Sequence, residues 1–287
     1  MIDAMAGLAF ASIMSSSAGN CAVVGGPEGA VLVDAGFPSQ KKLREALAFV
    51  VAEFGPVRGV VISHGHHDHI NHGSLKLLAG ADIPVYLSAA TVARLSMDTV
   101  KGSLLAGYEL SFYSTRPFRV GGLSISPFPL VHAPGVPNHG FVIEGSDGRI
   151  GIATDFRSTK GVEEKLSGCD LLFIESNHDP ELLRQNPNPS SAYHLPNGVC
   201  ADLVASLVKK GVGPRTVMLA HLSVERNRPE LALTAMRNRL KDALDAPAIM
   251  VAPPFERSAI VKATPGTGRF RAEAIRDSNS GRRASLP

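Results

Sequence analysis

Apolar positions along the first 130 residues come in short runs bounded by Gly, Pro, Asp or Ser, the pattern of buried strands and not of long helices. These runs predict strands at Phe10–Ser15, Cys21–Val24, Ala30–Asp34, Gly59–Ser63, Pro84–Ser88, Glu109–Tyr113 and Leu123–Pro127. Further runs predict strands at Gly140–Glu144, Ile150–Thr154, Asp170–Glu175, Thr216–Ala220 and Ala248–Ala252. Helical spacing occurs in three stretches. Gln40–Phe54 sets Leu43, Leu47 and Val50 on one face, Asn197–Lys210 does likewise, and Pro229–Leu244 opens with a proline suited to a first turn. No repeat of 20 to 50 residues is visible, and the alternation fits a two-halved, layered α/β architecture better than one doubly wound sheet.

From Lys262 onward the periodicity stops and Gly, Ser and Arg accumulate, which predicts one domain over residues 1–261 and a disordered basic tail over 262–287. The whole chain of 287 residues is 44% hydrophobic and 19% charged, an ordinary globular balance. Its net charge of +3 is uneven: residues 256–287 carry +4 and the body −1. A basic excess would suggest a nucleic-acid surface, but here it belongs to the tail, for which it predicts salt-sensitive, sequence-independent affinity.

The three cysteines, Cys21, Cys169 and Cys200, are widely spaced and odd in number, so neither a disulfide framework nor a thiolate zinc knuckle is expected. A reducing, cytoplasmic setting follows. No apolar stretch is long enough to predict a membrane span, and no basic residue precedes the first one as in a signal peptide. Nothing in the pattern fixes an oligomeric state.

All ten histidines fall between residues 64 and 221, and the strand Gly59–Ser63 runs directly into His64-Gly65-His66-His67-Asp68-His69. By composition alone, an H-x-H-x-D-H pattern would occur in roughly 1 chain in 2,000 of this make-up. On an extended exit from a strand, residues two apart point the same way, so His64 and His66 can share one ion while Asp68 and His69 face a second. Imidazole and carboxylate without thiolate suit a catalytic site with open positions, holding Zn²⁺ or Mn²⁺. Further candidate ligands, His132, Asp155 and His221, each follow an apolar strand. An Asp there is placed to bridge two ions. Asp34, which also ends a strand, is either a turn former or the partner that orients a ligand imidazole. His67 and His72 are expected to be non-ligands.

With LVDAG (32–36), SHGHHDH (63–69), His132, TDF (154–156) and LAHLS (219–223) in this order, the sequence resembles the metallo-β-lactamase superfamily. That resemblance implies a single-domain, four-layer αββα sandwich. It also implies one metal on His64, His66 and His132, a second on Asp68, His69 and His221, and Asp155 as the bridge, with His139 a second candidate for the place of His132. SSSAGN (15–20), IESNHD (174–179), YHLPN (193–197) and LAHLSVERNRPELA (219–232) look like the phosphodiesterase branch of YycJ/WalJ-type exonucleases and, more remotely, ribonuclease Z. This chain has His132-Ala133-Pro134 where the group has His-Asp-Ala, and YHLPN where it has Gly-His-Leu-Ser-Asn.

The finer resemblance implies hydrolysis of a phosphodiester, in nucleic acid or a smaller substrate, with two divalent ions, Zn²⁺ before Mn²⁺. Asp68 and Asp155 would serve a water activated between the ions, and His194 would give a proton to the leaving oxygen. His194, Asn197 and Asn20 would contact substrate, and Glu175 with His178 would form a supporting network. Two rival readings remain open. One keeps the site and cleaves a thioester, lactone or β-lactam, since a fold alone does not choose the bond. The other is a non-catalytic, metal-folded nucleic-acid-binding protein, against which stand the full ligand set and the absence of interleaved aromatic and basic residues.

Overall fold

The computed structural model describes residues 7–97, 105, 108, 110–264 and 269–273. β1 (Ala9–Ser16), β2 (Gly19–Gly26) and β3 (Gly29–Val33) form an antiparallel meander. The chain then alternates α1 (Gln40–Phe54), β4 (Val57–Val61), α2 (His72–Gly80), β5 (Val85–Ser88), α3 (Ala89–Ser96) and β6 (Leu110–Tyr113), with β3 to β6 parallel. A second sheet starts with β7 (Phe118–Val120), β8 (Leu123–Leu130), β9 (Asn138–Glu144) and β10 (Arg149–Ala153). It continues through α4 (Val162–Leu166), β11 (Leu171–Glu175), α5 (Pro180–Gln185), a 3₁₀ turn at Pro189–Tyr193, α6 (Asn197–Lys209), β12 (Thr216–Ala220), α7 (Pro229–Leu240) and β13 (Ala248–Val251). In space the sheets run β15-β14-β1-β2-β3-β4-β5-β6 and β13-β12-β11-β10-β9-β8-β7, where β14 is Ile260–Thr264 and β15 is Arg269–Glu273.

Three apolar layers hold this arrangement. Phe10, Val31, Val61, Phe141, Ile152, Phe173 and Met218 meet between the sheets. Leu43, Val50, Leu75 and Leu95 of the first three helices cover the outer face of the first sheet. Leu166, Leu203, Leu207, Met236 and Leu240 cover the second, against Leu172, Ile174 and Leu219. Strand β11 shows why its run is apolar throughout: Leu171 and Phe173 face the other sheet while Leu172 and Ile174 face helices. The layers are α, β, β, α, as the resemblance implied. Among the described residues no helix is long and apolar enough to cross a membrane.

Two expectations shift. The last long helix stops at Leu240, not Leu244, and Leu244 is fully exposed (102%). The domain boundary expected at 261 also moves: β14 pairs antiparallel with β1, β15 pairs with β14, and Val261, Ala263 and Phe270 are buried between the sheets. The alternation there is too short, and too broken by Pro265-Gly266 and the arginines, to read as strands. The rest of the expected tail, 265–268 and 274–287, lies outside the described residues.

Candidate metal centre

The site forms where strands of both sheets end on one rim. Asp34 follows β3, Asp155 follows β10 and His221 follows β12, and all three take left-handed backbone with φ of 64°, 59° and 50°. Asp82 is the other non-glycine residue of this kind among those described. Such a conformation is uncommon outside glycine and costs on the order of 1 kcal/mol, so it persists only where the surroundings impose it. Here it turns each side chain sharply out of its strand toward the seam. The segment after β4 makes one tight turn, with His69 and Ile70 N–H groups donating to the His66 carbonyl (3.1 and 3.0 Å). That turn leads to α2, which Asn71 caps by accepting from Ser74 N (3.0 Å).

Two overlapping clusters result. His64, His66 and His132 offer ligand atoms to one point, and Asp68, His69 and His221 to another, with Asp155 between. Two atoms bound to one tetrahedral ion at about 2.05 Å lie roughly 3.3 Å apart. The observed separations centre on that value. His66 Nδ1 is 3.3 Å from His132 Nε2, His69 Nε2 is 3.5 Å from Asp68 Oδ2 and 3.0 Å from Asp155 Oδ2, and His221 Nε2 is 3.8 Å from Asp68 Oδ2. Asp155 Oδ1 reaches to 4.0 Å from His132 Nε2, on the side of the first cluster. His64 Nε2, His221 Nε2 and Asp155 Oδ2 are buried without a hydrogen-bond partner, so the close approach of Asp155 Oδ2 to His69 lacks hydrogen-bond geometry. Buried polar atoms without partners are costly, and these converge as ligands of a cation would.

The opposite ring nitrogens are tied down, which fixes which nitrogen faces the ions. His69 Nδ1 lies 2.7 Å from Asp34 Oδ2, and Asp34 also accepts from Ser63 N and Oγ (both 2.8 Å at the shortest). His64 Nδ1 is 3.0 Å from Ser63 Oγ, and His132 Nδ1 3.1 Å from the Tyr193 carbonyl. Glu175 Oε1 takes both His221 Nδ1 and His194 Nδ1 at 2.8 Å. Its Oε2 accepts from Phe156 N and Leu195 N at 3.1 and 3.0 Å.

Electrostatics agree with a cationic occupant. Burial lowers His64, His66 and His132 below their ordinary pKa, so they stand neutral and ready to ligate. Burial would also lower His69 and His221, but Asp155 and its carboxylate neighbours outweigh it, holding His69 well above its ordinary value and His221 at about 10. Burial opposes ionisation of Glu175, yet His194 and His221 bring it down to about 2, and His221 with His69 holds Asp155 far below the usual range. Four carboxylates, those of Asp34, Asp68, Asp155 and Glu175, thus share one largely buried pocket. Two divalent ions would balance them, and the donor set of imidazole and carboxylate fits such ions.

Other predicted residues fall in different places. Asn20 Nδ2 lies beside the second cluster, 3.2 Å from Asp68 Oδ2 and 3.1 Å from His69 Nε2. Asn197, expected to touch substrate, is only 2% exposed, and its amide is spent on Ser176 Oγ (2.7 Å) and the Asn227 amide (2.8 and 2.9 Å). His178 hydrogen-bonds Asn177 (3.3 Å) and not Glu175, so it stands outside the network foreseen for it. His139 packs edge-on against Tyr113 at 5.3 Å, behind the cluster, and His132 takes the place for which both were candidates. His67 and His72 are exposed. Sequence reasoning missed Ser63, the Tyr193 carbonyl, and Ser15, whose Oγ accepts from His221 N at 2.8 Å. Ser63 and Ser15 lie inside motifs that were legible, but a hydroxyl or carbonyl carries no spacing signal of its own.

The chain is similar to several known proteins. The chain is 29% identical over 250 residues to exodeoxyribonuclease YycJ of Bacillus anthracis, covering 82% of this chain and 90% of the relative. It is 28% identical over 250 residues to exodeoxyribonuclease WalJ of Streptococcus pneumoniae serotype 2, covering 83% and 90%. In fold it is similar to the metallo-beta-lactamase fold protein YhfI of Bacillus subtilis (TM-score 0.66, 17% identity, 88% of this chain and 99% of that one). Zn(2+)-bound PqqB of Methylobacterium extorquens is equally similar (TM-score 0.66, 14% identity, 87% and 99%). The family model for the beta-lactamase superfamily domain matches residues 30–222, from β3 to just past His221, and the chain belongs to that superfamily.

Proposed function

We propose that this chain is a zinc-dependent phosphodiesterase that degrades nucleic acid from an end. The observation that carries the reading is His194, held by Glu175 at 2.8 Å beside the two clusters, its ring 5.2 Å from those of both His132 and His221. Resemblance to relatives named exodeoxyribonucleases favours DNA as the polymer. When bound, two divalent ions lower the pKa of a water toward neutrality and neutralise charge on the phosphoryl oxygens.

The chain's own groups do the rest. Asp68 and Asp155 present carboxylate oxygens on both sides of the seam. His194 donates its Nδ1–H to Glu175 Oε1, which leaves Nε2 for the substrate. Burial lowers the pKa of His194, but Glu175 and Asp155 more than offset it, so the ring carries a proton to hand to the leaving oxygen. The reading is tested by stripping the protein of metal, reloading it with Zn²⁺ or Mn²⁺, and incubating it with end-labelled DNA and RNA beside a thioester. Metal-dependent shortening from one end is expected, abolished by Asp155→Ala. Thioester hydrolysis without phosphodiester cleavage would refute the bond assignment, and full activity in Asp155→Ala the site.

A further inference from the structure

Two clefts open on His194, one on each side of the 3₁₀ turn, and they differ. The smaller, about 300 Å³, is walled by the β1–β2 turn (Ser16 to Ala18), by Asn188, Ser190 and Ser191, by the loop Ser223–Arg226 and by Phe255. The larger, about 610 Å³, is lined by Arg157, Leu183, Pro187 and Val199 among others. In it the Arg157 guanidinium lies 5.8 Å from the Tyr193 ring.

From this asymmetry we propose that the smaller cleft seats the terminal nucleoside of the strand, with its base stacked on Phe255 and its polar edge on the exposed hydroxyls of Ser17 and Ser190, while the rest of the strand leaves through the larger cleft. The proposal rests on the phosphodiesterase reading above and adds to it a recognition site.

Three observations carry it. First, Phe255 is 57% exposed in a chain of few aromatics; among the described residues the other exposed phenylalanine, Phe112, lies on the edge strand β6. An exposed ring at the mouth of a cleft that also holds His194 is a stacking platform, since every base has a π-face. Second, the ring is presented on a fixed segment: the Pro254 carbonyl accepts from Ser15 N at 3.4 Å, and Ser258 N donates to the Ser12 carbonyl at 2.8 Å. The opposite wall is braced as well, by Arg226 Nε donating to the Asn186 carbonyl at 2.6 Å. A platform that does not need ordering on binding keeps more of the stacking energy. Third, about 300 Å³ is the lower end of the range for small-ligand sites, room for one nucleoside and not for two. A strand whose last nucleoside fills it places its first phosphodiester at His194, so single nucleotides are released.

The test uses the metal-loaded full chain and two DNA substrates that differ only at the end being degraded, one with an intact terminal nucleotide and one with an abasic terminal sugar. Wild type is expected to lose about 5- to 150-fold in kcat/KM on the abasic end, the usual worth of one stacked base, and to release mononucleotides from the intact one. Phe255→Ala should lose a similar factor on the intact end and little more on the abasic end, because both changes remove the same contact. Phe255→Leu, which keeps apolar bulk without the π-face, serves if the alanine variant does not fold. An equal abasic penalty in wild type and variant, no penalty in wild type, or release of dinucleotides would overturn the subsite while leaving phosphodiesterase activity standing. Failure of wild type to cleave either DNA or a small alkyl aryl phosphodiester would overturn both readings together.

Discussion

Replacing Glu175 by glutamine alters one atom and one charge at a fully buried carboxylate on which four N–H groups converge. His194 and His221 donate to Oε1 at 2.8 Å, Phe156 and Leu195 to Oε2 at 3.1 and 3.0 Å. A carboxylate accepts on both sides, an amide on one, so either orientation of the new side chain sets its NH₂ against two donors. Hydrogen bonds to a charged group contribute about 1.5–3 kcal/mol each, and breaking a buried charged pair costs about 3–5 kcal/mol. Part of that cost can be avoided if each imidazole moves its proton from Nδ1 to Nε2 and accepts from the amide. With a proton fixed on Nε2, His221 would then lack the lone pair that a cation beside Asp68 Oδ2, 3.8 Å away, requires of it. The loss thereby passes from the fold to the metal, where removing such a partner lowers affinity about 10- to 100-fold. Urea unfolding of the metal-stripped protein reads the first cost and chelator competition the second. Glu175→Gln should show at least one of the two. Unchanged stability together with unchanged metal affinity would refute the role given to Glu175.

Metal binding should release protons, because His69 and His221, both held above their ordinary pKa and the latter at about 10, are imidazolium in the metal-free protein and must be neutral to ligate. Calorimetry in buffers of different ionisation enthalpy should count about two protons near pH 7, and a count of zero would contradict the assignment. The same shifts set the stability of the metal-free protein. The raised histidines contribute fully below their unfolded pKa and lose that contribution as pH rises through the folded value, whereas His64, His66 and His132, held neutral by burial, cost stability as pH falls below the ordinary histidine value, and Glu175 and Asp155 add to that loss below the carboxylate range, so denaturant stability should peak near pH 6.5, at about the unfolded histidine pKa. Gly36→Ala should cost about 1–3 kcal/mol and lower metal content, since a Cβ there overlaps the Asp68 carbonyl; retained metal and an unchanged Tm would exclude that close approach. Asn197→Ala should destabilise by about 1–3 kcal/mol by stranding the Asn227 amide, with KM for DNA unchanged in the folded protein. A raised KM at full stability would restore the substrate contact once expected of Asn197.

Strand positions were legible because the inner strands carry apolar side chains on both faces, which leaves an unbroken run such as LLFI at Leu171–Ile174. The metal ligands were legible because each one directly follows such a run or sits in a dense motif. Less visible were β7, three residues long, and β14 with β15, whose inward residues among those described are Val261, Ala263 and Phe270. The inward placement of Asn197 is hidden for a different reason. It lies beside His194 in sequence, yet α6 begins at that residue and turns its amide inward to Asn227, while His194 faces the clefts. Sequence neighbours diverge at a helix start, and spacing alone does not say which of them is turned inward.

The left-handed residues connect the fold to the chemistry. Asp34 belongs to the first sheet, Asp155 and His221 to the second, and the contacts they direct cross the seam: His69, oriented by Asp34, approaches Asp155 at 3.0 Å. Cations bound there would therefore join the two sheets as well as serve catalysis. Without them the same seam is held by protons on His69, His194 and His221, a weaker arrangement because it strands His64 Nε2 and Asp155 Oδ2 without partners. A ligand that binds only the folded state adds about 2.7 kcal/mol at a hundred times its Kd, and each of the two positions contributes separately if both fill. The strain at three strand ends, on the order of 1 kcal/mol apiece, is thus comparable to what one occupied position returns. The site is then a net cost to the fold when empty, close to neutral with one position filled and favourable with both.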